Sequence, residues 1–428
     1  MWVTYKEKLK SLSARLVEAQ RPIRMLDAVR WEAKIFEDLK KSKYKELPKV
    51  DASTYEKIPL GFQPEQKLTE LEELQKEIEK EIGVEDSLAK ILIESCKEYQ
   101  DLVRMLLVRG KPEFYEYSKR LYGSPKDIFF GSKATVKDLG LHLYNILSSA
   151  DDSSLGDSRA ELVDAHTAVA DLNERFAKYF PGENVRVIAE NEMLADASAS
   201  ARTIKLKESA KFMKRDVDIL EVHEGWVHMG TTINGYEQKI AKWLYKGPPR
   251  VSATQEGLAV LMEIFSFVTS PKRARKINDR VLAIDKAEDG ADFLEVLEYF
   301  RTEGYEEDDS LVATQRVFRG GLVGGGHPFT KDISYCKGFV ENYNFIRACI
   351  QAGKSEMVPF LFAGKVSVMD VPALYHKYKE GIIDPPKYLP PVFRDLNSLV
   401  VWMSFLNFLS AADMSSAQDA YRQLITSG

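Results

Sequence analysis

His223-Glu224-Gly225-Trp226-Val227-His228, followed by Thr254-Gln255-Glu256-Gly257-Leu258-Ala259, is the stretch on which the reading of this chain turns. The sequence holds six histidines in 428 residues, and two of them fall within six positions here, with an acid directly after the first. A hydrolytic zinc site needs neutral imidazoles as ligands, an open coordination position and a carboxylate that takes a proton from water. His223 and His228 offer two ligands, Glu256 a third from the next helix, and Glu224 the base.

The spacing needs its own argument. In the common zinc-peptidase signature the histidines stand four apart. Five residues on a regular α-helix leave about 140° between side chains, which points one ring away from a shared ion. The pair therefore meets only if the helix is locally distorted. A π-bulge inserts one residue and restores the alignment, and Gly225 and Gly230 leave room for loosening there. Two other readings stand beside this one. Each histidine alone reads as an ordinary half-buried helical residue, and Glu224 with His228, four apart, could be the ligand pair on a regular helix. The latter leaves no acid placed as the base.

With Asn234-Gly235, Gln238, the block RVFRGG at 316–321, FTKD at 329–332 and Tyr335, these motifs resemble the microtubule-associated tyrosine carboxypeptidase family. Its bacterial members are described as QEGLA-motif proteins linked to flavohaemoglobin expression. The family pattern is His-Glu, three residues, His, and a downstream Glu. The resemblance implies zinc ligation by His223, His228 and Glu256, with Glu224 as general base. It also implies a zincin-like core and a substrate cut at its C-terminus, with an aromatic last residue. It covers the second half in motifs and the first half only in helical style, and it departs from the family pattern at Gly225-Trp226 and Met229-Gly230.

Within that chemistry Tyr335 is the expected oxyanion donor. Arg316 and Arg319, supported by Lys331, are expected to take a free carboxylate, because a guanidinium fork makes two parallel charge-assisted bonds to one. A zinc endopeptidase or aminopeptidase with the same metal site is the alternative, as is a regulatory protein that keeps zinc without turnover.

Composition bounds the rest. A net charge of −5 gives no basic face for nucleic acid. Cys96, Cys336 and Cys349 are scattered, which excludes a zinc ribbon and suggests a reducing compartment. The start, MWVTYKEKLK, becomes charged at once and has no signal-peptide core, so the cytoplasm is expected. Leu396 to Met414 is interrupted by Asn397, Ser398, Ser404, Asn407 and Ser410, and so reads as a buried helix and not a membrane span. Oligomeric state is not legible.

The organisation expected is mainly α with a small β-sheet (α+β). It divides into an N-terminal helical region over 1–125, a zincin-like region over 126–380, and C-terminal helices over 381–428 packing on it. Apolar spacing predicts helices over 4–19, 24–41 (with Leu26, Val29, Ile35 and Phe36 inward), 68–82, 86–109 and 112–122. A Glu72–Lys76 pair is expected on the third. Two further helices fall within 134–180. Val185 to Ile188 and the alternating Thr203 to Lys207 predict strands, the latter as an exposed edge able to hold an extended peptide. The motif helix begins near Asp216. Ser252 and Gln255 predict a capping box that puts Glu256 in the first turn of its helix. Glu263, one heptad on, is a possible outer partner. A helix over 277–300, a solvated acidic loop over 303–309, and a glycine turn at 320–326 with no phosphate-loop signature complete the reading.

Overall fold

A computed structural model of the protein describes residues 2–148, 155–156, 159–191, 196–411, 418 and 421–423. Helices make up most of it, with two small sheets, so the fold is α+β as expected.

The N-terminal helices follow the apolar spacing, with one correction. The single helix expected over 24–41 is broken into Met25–Ala28 and Ala33–Lys41. Val29 and Trp31 are both buried between the two pieces, and residues two apart cannot share a helical face. Leu26 accordingly faces solvent, 44% exposed. Helix Pro64–Glu81 buries Leu71, Leu74 and Ile78 against Ser87–Leu107. Glu72 turns across to Arg104 of that neighbour, 3.6 Å away, and not to Lys76, because the packed partner presents a guanidinium on the inter-helix side.

Five strands make up the sheets: β1 Leu162–Asp164, β2 Arg186–Glu190, β3 Ala197–Ala199, β4 Thr203–Lys207 and β5 Lys211–Met213. β1 pairs antiparallel with β5. β4 lies in the middle of the other sheet, parallel to β2 and antiparallel to β3. Its inward residues are Ile204 and Leu206, as alternation predicts. The edge role expected for β4 is overturned: both rows of its main-chain groups are already paired.

β5 leads directly into the motif helix at Lys214, where Asp216 Oδ2 accepts from the Met213 N–H at 2.9 Å. This helix runs between two apolar cores. Val222 and Val227 belong to the large core that extends from Leu9 to Met403. Val217, Met229 and Ile233 belong to a smaller one built on the strands and on Phe176 and Phe180.

The helix carrying Glu256, Val251–Phe265, follows Lys246-Gly247-Pro248-Pro249. The capping box is not there. No side chain caps this helix; the Val251 and Ser252 amides donate to the Pro248 and Pro249 carbonyls. Gln255 is engaged elsewhere, with Thr231 and Lys365. Glu256 thus falls in the second turn. Arg250, just before it, is clamped by Glu98 at 2.8 Å and Asp370 at 3.0 Å, which ties the Glu256 helix to the N-terminal helices. Its other flank lies hard against helix Ser334–Gln351. A Cβ on Gly257 would stand 1.9 Å from the Gly338 carbonyl carbon, and one on Gly338 only 1.6 Å from the Ala253 oxygen. These two glycines let the backbones meet.

Three further expectations change. The helix over 277–300 is two, Pro271–Glu288 and Phe293–Thr302. The acidic stretch is no loop beyond Glu306: Glu307, Asp308 and Asp309 form the first turn of helix Glu307–Phe318, where the helix dipole favours carboxylates. Helix Leu396–Ala411 buries Leu399 and Met403 and leaves Val401, Trp402, Phe405 and Phe408 exposed; Met414 lies outside the described residues. No described helix is long and apolar enough to cross a membrane.

Two predictions follow from this packing. Gly257→Ala should lower stability by about 1–3 kcal/mol, towards the upper end because the obstruction is main chain; the urea midpoint is the measurement. Burial pushes the Asp279 carboxyl up to about 6, against the opposing hydrogen bond from Tyr305. A folded-state pKa above the unfolded value gives stability that is complete below about 3.8 and lost as pH rises through about 6. Asp279→Asn should therefore stabilise the fold at pH 7.5 by ~1–3 kcal/mol and make no difference near pH 4, read from unfolding curves at the two pH values.

Candidate metal centre

Residues Glu221–Met229 form a π-helix, set between Lys214–Leu220 and Gly230–Glu237 in α geometry. The Gly230 amide reaches back to the Gly225 carbonyl, a five-residue step. Such a turn puts residues five apart on one face, and the His223 and His228 ring centroids lie 4.9 Å apart. A widened turn leaves carbonyls short of partners. Here Thr231 Oγ1 donates to the Val227 carbonyl at 2.6 Å, and the His228 carbonyl accepts from Thr232 Oγ1 at 2.7 Å and Lys365 Nζ at 2.9 Å. Gly225 serves close packing: a Cβ there would lie 2.2 Å from Cε1 of Phe176.

Glu256 comes to both histidines from the neighbouring helix. Its Oε2 lies 3.8 Å from His223 Nε2 and 3.6 Å from His228 Nε2, and one donor atom from each of the three falls within 4.8 Å of the others. Ligands held at about 2.0–2.2 Å in a tetrahedral site stand roughly 3.4 Å apart. Two imidazoles and one carboxylate in this arrangement could hold a metal ion. Glu224 sits beside them, its Oε1 4.0 Å from His223 Nε2.

Charge around the site is arranged in layers. His223 is 7% exposed, and its Nδ1 is 2.7 Å from Glu263 Oε1. Arg273 grips that same carboxylate through Nε at 2.6 Å and a second nitrogen at 2.7 Å. Burial pushes the Glu263 carboxyl upward, yet Arg273 and His223 outweigh it and hold it down at about 2. An ionised carboxylate only accepts, so Nδ1 carries a hydrogen and Nε2 is the ring nitrogen that faces Glu256. Burial likewise opposes the charge on Glu256, which Lys331 and the two histidines keep well below the usual carboxylate range. Lys331 Nζ is 3.6 Å from Glu256 Oε1, so the two oxygens of Glu256 face different partners. Lys365 lies behind the wide turn, its ammonium lowered to about 8 by burial.

The other expected residues separate. Arg316 is already filled: its fork holds Asp332 at 2.5 and 2.9 Å. It also donates to the Tyr335 hydroxyl at 3.4 Å. Tyr335 borders a cleft of about 190 Å³ that His223 and Glu224 also line. Arg319 has its guanidinium over the Phe329 ring, 5.8 Å from its centre, and opens to a different cleft beside Phe36 and Leu311. Lys331 is the one of the three beside a candidate ligand. Asn234 and Gln238 clip the segment after the motif to the Phe362–Tyr388 region: Asn234 donates to the Phe362 and Tyr388 carbonyls, and Gln238 to those of Ala363 and Asp384.

Sequence reading missed Arg273, Arg280 and Lys365. Arg273 stands in the basic run Lys272-Arg273-Ala274-Arg275-Lys276, where nothing marks which cation turns inward. The seven-residue step from Glu256 to Glu263 was the one available sign that a second acid reaches His223.

A search of curated proteins finds no match. Among solved structures, one described as a lipoprotein of Colwellia psychrerythraea aligns with a TM-score of 0.44 and 12% identity, over 74% of this chain and 70% of that one. The sequence profile of the microtubule-associated tyrosine carboxypeptidases matches residues 37–411, a span that includes the wide turn, Glu256 and every residue of the cleft. The chain belongs to the microtubule-associated tyrosine carboxypeptidase family.

Proposed function

We propose that this protein is a zinc-dependent carboxypeptidase with a zincin-like catalytic region, releasing an aromatic last residue from a peptide or protein. The observation that carries the reading is the π-turn that turns His223 and His228 towards one carboxylate, Glu256, with Glu224 left unliganded beside them. Carboxypeptidase activity is what the family implies; the metal and the residue roles are our inference. Zinc suits two imidazoles and a carboxylate, where it supplies Lewis acidity that acidifies water and polarises a carbonyl.

The chain's own groups do the rest. Glu224 accepts a proton from the attacking water and returns it to the leaving amine. Tyr335 receives a hydrogen bond from Arg316, which leaves its own O–H to donate to the oxygen that gains charge in the transition state. Arg316, half-buried and fixed by the buried Asp332, holds that hydroxyl in place. Lys331 balances the charge on Glu256, and Glu263 orients the His223 ring. A cleft of about 190 Å³ falls below the ~300–1,000 Å³ of pockets for drug-sized ligands, which favours a single terminal residue over a chain running through.

Mass spectrometry of a peptide library incubated with the zinc-loaded protein tests the reaction. Loss of single residues from C-termini is expected; internal fragments, or release from N-termini, would reject the carboxypeptidase reading in favour of another peptidase. Glu224→Gln should keep one zinc per chain and lower kcat at least ~10²-fold, while His228→Ala should lose the metal, both followed by metal analysis beside turnover. Glu263→Gln keeps the shape of the outer contact and removes its charge. It should weaken zinc binding about 10–100-fold, measured by competition with a chromophoric chelator.

A further inference from the structure

We propose that Arg280 is the specificity-determining residue that takes the free carboxylate of the substrate's last residue. The proposal rests on the carboxypeptidase reading above and names the group that would make it cut one residue from the end.

Three cations of helix Pro271–Glu288 line the cleft that His223 and Glu224 open into: Arg273, Lys276 and Arg280. Their spacing of three and four puts them on one face. Two are committed. Arg273 is held bidentate by Glu263, and Lys276 lies 3.0 Å from Asp309. Among the described residues no carboxylate comes within ion-pair distance of Arg280, the remaining cation of this wall. It is not loose, however, because its guanidinium lies 4.3 Å from the centre of the Tyr335 ring. A guanidinium packed on an aromatic ring keeps its N–H groups for an in-plane, two-bond grip on a carboxylate.

The surroundings fit a terminal residue. Val260 and Ile277 line the same cleft and supply the apolar walls that an aromatic side chain needs. The Tyr335 ring that supports Arg280 carries the hydroxyl placed for the oxyanion, so one side chain couples the anchor to the scissile carbonyl. The expected anchor, Arg316, has its fork on Asp332.

The test uses the zinc-loaded Glu224→Gln protein, which should bind without cutting. It is titrated by calorimetry with one peptide ending in tyrosine, as free acid and as amide. The free acid should bind at least about tenfold more tightly, the scale of one charge-assisted pair. Adding Arg280→Gln should bring the two peptides to within about twofold by weakening the acid alone, and Arg280→Lys should restore part of the difference. In the otherwise unaltered enzyme Arg280→Gln should lower kcat/KM for the free acid at least about tenfold, chiefly through KM, and Arg280→Lys should recover part of it, a rescue that a general loss of structure does not allow. A preference for the acid that survives Arg280→Gln, or its absence in the Glu224→Gln protein, overturns the assignment. Turnover reports separately: a protein that prefers the acid through Arg280 yet releases no residue keeps this assignment and loses the carboxypeptidase reading.

Discussion

Everything at the candidate centre depends on one departure from regular helix. In α geometry His223 and His228 diverge by about 140°, and no ion could touch both. The π-turn over Glu221–Met229 closes that angle, and it persists because its surroundings compensate for it. Val222 and Val227, also five apart, both enter the large core, so the same widening that aligns the imidazoles aligns an apolar pair. Carbonyls that a wide turn leaves short of partners are met by Thr231, Thr232 and Lys365. The distortion is thus supported on its apolar side by packing and on its polar side by hydrogen bonds. An imidazole pair of this spacing without both supports would fall back to regular helix.

A second constraint is electrostatic. His223, Glu256 and Glu263 are all largely withdrawn from water, and burying ionised groups is unfavourable unless each is paired. Charges accordingly alternate outward: histidines, Glu256 and Lys331 on one side, His223, Glu263 and Arg273 on the other. Glu263 is held ionised by Arg273 and therefore keeps a hydrogen on His223 Nδ1 and fixes the ring's orientation. A ring set in this way keeps Nε2 on the side of Glu256 and His228, where the three donor atoms converge. The scaffold that holds the acids at this distance is itself close-packed. Gly257 and Gly338 allow the Glu256 helix to lie against the helix that carries Tyr335, and Arg250 anchors its start to Glu98 and Asp370.

Much of this is legible in the sequence. Helices over Pro64–Glu81, Ser87–Leu107 and Glu113–Tyr122 follow apolar periodicity, and β4 follows alternation, because both patterns record burial. The wide turn was readable as a requirement, since it was the one geometry in which two imidazoles five apart could cooperate. What failed were readings in which a local rule competed with a tertiary partner. Gln255 had the right position for a capping box but was drawn to Thr231 and Lys365. Glu72 had Lys76 four residues on but met Arg104 across a helix interface. The helix over 24–41 broke because Val29 and Trp31 both had to turn inward. Thr203 to Lys207 alternates as an edge strand would, yet strand order is a long-range property, and β2 and β3 cover both of its sides.

The arginines show where sequence reading ends. Arg273, Arg280, Arg316 and Arg319 are chemically identical forks, and sequence proximity to the later motif blocks favoured the last two. Their roles differ only through what lies within 4 Å. Arg273 meets Glu263, which holds the His223 ring; Arg316 meets Asp332 and donates to the Tyr335 hydroxyl. Arg280 has no acid of the described residues within 4 Å, although Asp332 feels its charge, and it lies against an aromatic ring in the cleft. A guanidinium already satisfied by a buried carboxylate gains little from a second one, whereas an unpaired fork beside a low-dielectric wall gains nearly a full charge-assisted bond from a ligand. The availability of a cation for recognition is therefore set by the absence of a neighbouring acid, and that cannot be read along the chain.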